Sequence, residues 1–116
     1  MNESAACALV APWPGVEAGI KWENDLVFTV AGKMFCVWCV RGPQAGSLGF
    51  KVEDERFLEL TERPGFAPAP YLARAHWVAL AQPEAIAANE LQAFLRRSYE
   101  LVRARLTKKL QRELAD

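Results

Sequence analysis

The sequence predicts a single α+β domain in which an antiparallel sheet packs against flanking helices. Apolar residues repeat with period two between Leu26 and Val52, and with a helical period after Glu84. The predicted strands follow one another, with helices at both ends and in the middle, so the order is not that of a doubly wound sheet. A chain of 116 residues, 52% hydrophobic and 24% charged, suits one globular domain over residues 1–116.

The first half of the chain predicts a short helix and a β-hairpin. The apolar run 7–11 predicts the helix, and the prolines that follow it end it because their rings cannot continue a helix. Residues 26–30 alternate with period two, an Ala-Gly dipeptide supplies a tight turn, and the apolar run 34–40 predicts the returning strand. The Gly- and Pro-containing segment 41–46 predicts a loop, and residues 47–52 predict a further strand.

The second half predicts helices around one more strand. Acidic residues 53–55 suit a helix N-terminus, and Pro64 ends the helix that follows. The Pro-rich segment 64–70 predicts a loop, and residues 76–80 predict a strand. We predict that Glu84 opens the longest helix of the domain.

On a helical wheel, that longest helix has one apolar side and one charged side. The residues predicted to be buried are Leu91, Phe94, Leu95, Leu101 and Val102. The arginines predicted to stay largely exposed are Arg96, Arg97 and Arg103. The helical phase is lost near Leu106, so we predict a break there. Thr107 is then the N-cap of a last short helix that carries Leu110 and Leu114.

The formal net charge of zero hides an asymmetry along the chain. Residues 1–95 carry 7 Lys and Arg against 11 Asp and Glu, a balance of −4, whereas residues 96–116 carry 7 against 3, a balance of +4. A basic tail can contact a phosphate backbone. It also suits a solvated helix C-terminus, where the macrodipole favours cations. Both interpretations remain open at this point.

The sequence also bears on the compartment. No positive charge precedes the apolar run 5–11, which is too short to cross a bilayer, so we expect neither a signal peptide nor a membrane segment. Three cysteines cannot all pair within the chain, and a domain of this size needs no disulfide. We therefore expect a soluble protein of the reducing cytoplasm.

No catalytic or metal site is expected from the residues. Cys36 and Cys39 form a CxxC, but residues three apart in a strand point to opposite faces, so we predict neither a shared metal nor a mutual disulfide. Cys7 and His76 alone remain as partners for a zinc site. No nucleophile and base pair can be assembled, and no phosphate-binding Gly-rich loop is present. We expect a non-enzymatic binding domain without a cofactor.

Several segments together resemble the MmcQ/YjbR family. They are Gly65–Val78, Glu90–Leu91 and Ser98–Val102, with Pro14–Glu17, Trp22 and Gly32–Phe35 upstream. The resemblance extends from about residue 8 to residue 112. It implies a compact α+β domain, similar to the double-wing arrangement of a phage transcription factor, and a role in binding double-stranded DNA mainly through phosphate contacts.

The resemblance and the basic tail together define the expected DNA contacts. Positions that match the family pattern supply Lys33, Lys51, Arg74, His76, Lys108 and Lys109, and the tail adds Arg96, Arg97 and Arg103. The chain departs from the pattern at Ala75, where a basic residue or histidine often precedes the His-Trp pair. It also departs at Thr107, where a proline is common.

The alternative is a protein-interaction or small-ligand module. Its pocket would be formed by Tyr71, Arg74, Trp77 and Tyr99. A surface stripe of Arg and Lys without a concave pocket would favour DNA, whereas an apolar cleft would favour the ligand.

Overall fold

Six strands form one antiparallel sheet in the order β1-β2-β3-β4-β6-β5. The computed structural model describes residues 3–70 and 72–114. The strands are β1 (Val16–Lys21), β2 (Asp25–Val30), β3 (Lys33–Cys39), β4 (Leu48–Lys51), β5 (Phe66–Pro68) and β6 (Trp77–Leu80). The helices are α1 (Glu3–Val10), α2 (Phe57–Glu62), α3 (Ala88–Arg103) and α4 (Lys108–Leu114). The predicted α+β class with an antiparallel sheet is confirmed.

The predicted hairpin is formed by β2 and β3. Its two turn residues, Ala31 and Gly32, both have positive φ angles, of 49° and 80°, as a tight turn between twisted strands requires. The register shifts between Phe28 and Thr29, which leaves Phe35 as an extra residue on β3. Because of this bulge, Phe35 and Cys36 are both fully buried although they are adjacent in a strand.

The core lies between one face of the sheet and the helices. A row of cross-strand neighbours faces the helices, and each member is at most 1% exposed: Phe28, Cys36, Phe50 and Val78. Phe94 of α3 stacks on Phe50, with ring centroids 5.2 Å apart, and meets Phe66 edge-on at 5.7 Å. These aromatic contacts fix α3 across β4 and β5.

The predicted apolar face of α3 is largely confirmed. Leu91, Phe94, Leu95 and Val102 are buried, and Leu101 is half-buried. Arg97 is exposed, whereas Arg96 and Arg103 are half-buried because both lie against the ring of Tyr99. Ser98 and Tyr99 are buried on the same face as the apolar residues.

The predicted start of the longest helix was wrong. Pro83–Ala85 forms a separate 3₁₀ turn that contains Glu84, and Ile86 is extended, so α3 begins only at Ala88. A proline at the first position suits the start of such a turn.

Other elements were missed or placed differently. The strands β1 and β5 were not predicted, the second because a Pro-rich segment indicated a loop. The helix α1 begins at Glu3 rather than at residue 7. A 3₁₀ turn over Asp54–Arg56 precedes α2.

The predicted break after α3 is confirmed. The Leu110 amide donates to Thr107 Oγ1 at 3.2 Å, so Thr107 caps α4 as expected. The chain then returns to the start of the sheet, where Leu114 packs against Gly15. A Cβ added at Gly15 would lie 2.2 Å from Leu114 Cδ2, and the φ angle of Gly15 is +78°. Both facts favour glycine at this contact.

Ser98 joins two strands that separate at one end. The pairing of β3 with β4 stops at Cys36 and Phe50. Beyond that pair, the Lys51 amide donates to Ser98 Oγ at 2.9 Å, and Ser98 Oγ donates to the Phe35 carbonyl at 2.5 Å. In a continuous ladder, the Lys51 amide would donate directly to the Phe35 carbonyl. Here the fully buried hydroxyl of Ser98 bridges the two groups instead.

None of the helices within residues 3–70 and 72–114 is long and apolar enough to cross a membrane.

Candidate functional site

A groove runs over the face of the sheet opposite the core. Its floor lies along a cross-strand row in which Val37 pairs with Gly49, and Gly49 pairs with Ala79. Because Gly49 has no side chain and Ala79 has a single methyl group, the surface of this face is recessed along its middle. Larger side chains on both sides of the row then form walls.

The walls are mostly apolar. The groove has a volume of about 580 Å³, within the range of about 300 to 1,000 Å³ that is common for ligand sites. It is lined by Trp22, Asp25, Met34, Val37, Cys39, Gln44, Ser47, Gly49, Ala69, Pro70, Leu72, Trp77 and Ala79. Trp77 is only 4% exposed, so it is held firmly in the wall, whereas Trp22 is 64% exposed at the rim.

The two ends of the groove differ in polarity. Met34 and Trp77 lie toward the start of β3 and β6, where the lining is apolar. Asp25 pairs with Cys39 at the other end of β3, and the Cys39 amide donates to the Ser47 carbonyl. The Asp25 carboxylate, the Ser47 hydroxyl and the Gln44 amide therefore collect at one end. The groove fits a molecule with an apolar body and a hydrogen-bonding or cationic head.

Of the three predicted pocket residues that the structure describes, Trp77 lines the groove. Arg74 lies on an exposed 3₁₀ turn and is not part of the lining. Tyr99 lies in the core on the other side of the sheet, where its hydroxyl donates to the Pro14 carbonyl at 2.6 Å. Tyr71 lies outside the described residues.

Several predicted DNA contacts are already engaged within the domain. Arg97 Nε lies 3.0 Å from a Glu53 carboxylate oxygen and also pairs with Glu100. Burial acts to raise the pKa of Glu53, but the hydrogen bond and charge of Arg97 outweigh it and hold that pKa below its usual value. Arg97 is thus occupied by two carboxylates.

Two more arginines on α3 pack against aromatic rings. Arg96 lies over Tyr99 at 4.8 Å and over Trp13 at 5.2 Å, and its Nε contacts Glu100 at 3.3 Å. Arg103 lies over the Tyr99 ring from 5.9 Å and donates to the Gln111 carbonyl. Both guanidinium groups therefore support the packing of α3, through cation–π contacts.

Lys51 and His76 come together at the end of β4 and β6. Lys51 Nζ donates to the Ala75 carbonyl, and His76 Nδ1 lies 2.7 Å from Asp54 Oδ1. Burial lowers the pKa of Lys51, the charge of Arg105 lowers it further, and Asp54 opposes the shift. His76 has a left-handed φ of 62°, uncommon outside glycine, and its ring packs edge-on against Phe57. These contacts hold a turn in place.

The remaining predicted DNA contacts have no acidic partner in the part of the chain that the structure describes. Lys33, Arg74, Lys108 and Lys109 are exposed, and none of them forms an ion pair with a described acidic residue. Arg112, also exposed, shares α4 with the two lysines. Lys33 begins β3 and Arg74 lies on the turn before β6, so α4 is the segment that brings free cations together.

The CxxC cysteines lie on opposite faces of β3, as strand alternation predicts. Cys36 is fully buried in the core, and burial raises the pKa of its thiol, with a further contribution from Cys7. Cys39 lines the groove and its thiol donates to the Arg41 carbonyl at 3.0 Å. Within residues 3–70 and 72–114, no group of three or more His, Cys, Asp and Glu side chains could hold a metal ion.

Most of the groove was missed at the level of sequence. Its described lining comes from four strands, β2, β3, β4 and β6, together with loops that are distant along the chain. The sequence did contain one indication of the groove, the small residues Gly49 and Ala79. Each of them adjoins a buried residue, Phe50 or Val78, and therefore belongs to the opposite face of the sheet. Register between strands is needed to place those positions side by side.

Comparisons with known proteins agree with this architecture. A family model described as YjbR matches residues 12–101. A crystal structure of a Deinococcus radiodurans protein with a DUF419 domain matches at a TM-score of 0.84 and 26% identity, over 96% of this chain and 86% of that one. A Pseudomonas syringae protein shares the fold at a TM-score of 0.67 and 20% identity, over 87% of this chain and 98% of that one. No curated protein matches the sequence.

Proposed function

The chain belongs to the YjbR family, and within that family we propose that it is a non-enzymatic binding protein whose sheet groove takes a small amphipathic ligand. The observation that supports this most strongly is the groove itself, which is concave, mostly apolar and polar at one end only. Such a cleft with a few convergent polar groups is the usual form of a small-molecule site. The ligand would lie on Gly49 and Ala79, with its apolar body toward Trp77.

The proposed ligand has a hydrogen-bond donor or a positive charge in its head. Asp25 is the charged residue among the lining side chains, and an ionised carboxylate accepts hydrogen bonds but donates none. Among the described residues, no Lys or Arg lines the groove, so none of them offers an opposite charge to an anionic head. We also propose that the domain works in the cytoplasm. In that reducing compartment the Cys39 thiol in the groove wall stays reduced.

The substitution Gly49→Leu tests the groove directly. A Cβ at Gly49 would make only ordinary contacts, at 3.7 Å and beyond, so the larger side chain is accommodated by the strand and projects into the groove. We expect the neutral dye N-phenyl-1-naphthylamine to bind the wild-type protein with enhanced fluorescence. Gly49→Leu should weaken that binding by about tenfold or more, equivalent to roughly 1.4 kcal/mol.

Ala93→Leu is the matched control because it adds an apolar side chain at an exposed position of α3, away from the groove. Its dye affinity should equal that of the wild-type protein. If Gly49→Leu binds the dye as well as Ala93→Leu does, the groove is not the binding site.

Double-stranded DNA remains a second candidate, supported by the free cations of α4. Lys108, Lys109 and Arg112 lie within one helical turn of each other and are exposed. Arg105, close enough to Lys51 to lower its pKa, lies just before them in the chain. Together they offer a few phosphate contacts despite the neutral net charge, which supports weak association independent of sequence.

For DNA we expect dissociation constants on the order of 10⁻⁴ to 10⁻⁶ M at physiological salt. Replacing Lys108 and Lys109 by Ala should lower affinity for all duplexes alike and reduce the salt slope by about one per lost phosphate contact. Fluorescence anisotropy with a random duplex at two salt concentrations measures both effects. Replacing Arg41, which is exposed elsewhere and belongs to neither proposed surface, is the control. No anisotropy change at low salt, or equal binding by the double variant and the Arg41 variant, would exclude this surface.

A further inference from the structure

The two edges of the sheet are protected to different degrees. Strand β5 is three residues long and contains Pro68, which cannot donate to a further strand. Strand β1 is six residues long, has no proline, and pairs with β2 in unbroken register. No other strand within residues 3–70 and 72–114 pairs with its outer edge. The backbone groups on that edge are therefore available to another strand.

The side chains of β1 are also uncovered. Every residue after Val16 is exposed, and Ile20 is 52% exposed although it pairs with the buried Leu26. Ala18 lies on the same face as Ile20, toward the side of the sheet that the helices cover elsewhere. The helices leave this end of the sheet bare.

We propose that β1 is a dimer interface, in which it pairs antiparallel with β1 of a second copy around a two-fold axis at Gly19. In this register Gly19 faces its own counterpart. Glu17 then lies opposite Lys21 of the second copy, and Ala18 lies opposite Ile20 of the second copy. The two sheets become one continuous sheet, an isologous arrangement that closes on itself.

The order of charges on β1 favours a second copy over an unrelated strand. Glu17 and Lys21 are placed symmetrically about Gly19, so antiparallel self-pairing brings opposite charges together twice. A shift of the register by two residues in either direction places Gly19, rather than the opposite charge, against Glu17 or Lys21. Gly19 itself has no side chain, and nothing lies within 4 Å of where its Cβ would be, so no group on that face of the sheet crowds the axis position. This interface lies at the edge of the sheet, whereas the groove lies over its face, and the two adjoin where Lys21 pairs with Asp25.

Reversing one charge at a time tests the interface. Sedimentation velocity of the full chain should show a concentration-dependent dimer for the wild type. Glu17→Lys brings two pairs of lysines together, and Lys21→Glu brings two pairs of glutamates together. Each variant should dissociate with a constant raised by about tenfold or more, because both attractive contacts become repulsive.

Mixing the two single variants is the decisive measurement. In a mixed dimer both contacts again join a lysine to a glutamate, so an equimolar mixture should regain dimer to the wild-type level. The double variant Glu17→Lys with Lys21→Glu should also form a dimer by itself. Lys21 pairs with Asp25 across the hairpin, so Lys21→Glu also places two carboxylates side by side within one chain. Mixing controls for this effect, because a variant that merely failed to fold would not recover. A monomeric wild type, unaffected single variants, or a mixture that stays monomeric would each overturn the proposal.

Discussion

Replacing Ser98 by alanine should destabilise the domain by about 2 to 6 kcal/mol, because the change leaves two backbone groups at least partly buried and without a partner, at a cost of about 1 to 3 kcal/mol each. The Lys51 amide and the Phe35 carbonyl both bond to the Ser98 hydroxyl, which is fully buried. Urea denaturation of the two proteins measures the difference.

Hydrogen exchange gives a second and more local measurement of the same change. The Lys51 amide should lose protection in Ser98→Ala more than the amides in the centre of β4 do. Gln92→Ala, at an exposed position of the same helix, is the control and should change stability by less than about 0.5 kcal/mol. If Ser98→Ala matches that control, β3 and β4 close and bond directly once the hydroxyl is removed.

The hairpin and the last helix could be predicted because their signals are local. Alternation along residues 26–30 and an Ala-Gly turn are enough to define two paired strands. The loss of helical phase near Leu106, followed by the capping residue Thr107, is enough to place a break. By contrast, β1 was missed although Val16, Ala18 and Ile20 alternate with Glu17, Gly19 and Lys21, because the Ala and Gly in the middle of this segment are uncommon in strands and weaken the signal.

The candidate site could be predicted only in part, because contacts distant along the chain decide it. Charge patterning placed Arg96, Arg97 and Arg103 on the outer side of α3, but not the acids and rings that engage them. Glu53, which binds Arg97, is 44 residues away in the sequence. Likewise, Trp77 was predicted as a binding residue from its local sequence, whereas the groove residues from β3 and β4 could not be predicted in the same way.

Substitutions at Tyr99 distinguish two possible ligand sites. Tyr99 belongs to the pocket predicted from the sequence, but it does not line the groove over Gly49. Tyr99→Ala should cost about 3 to 5 kcal/mol, since it removes a fully buried ring that packs against Phe35 at 5.4 Å and Trp13 at 5.3 Å. Tyr99→Phe retains the ring and loses only the hydroxyl bond to the Pro14 carbonyl, a loss of about 1 kcal/mol. Urea denaturation should resolve the two values.

The ligand measurement then assigns the role of Tyr99. Because its ring lies on the core side of the sheet, Tyr99→Phe should bind N-phenyl-1-naphthylamine with wild-type affinity at temperatures where it is fully folded. Gly49→Leu should show the reverse pattern, with stability near that of the wild type and dye affinity reduced. Loss of dye binding in Tyr99→Phe without loss of folding would mean that the ligand enters between α3 and the sheet. The site would then lie on the helical side, around Tyr99 and Trp13, rather than in the groove over Gly49.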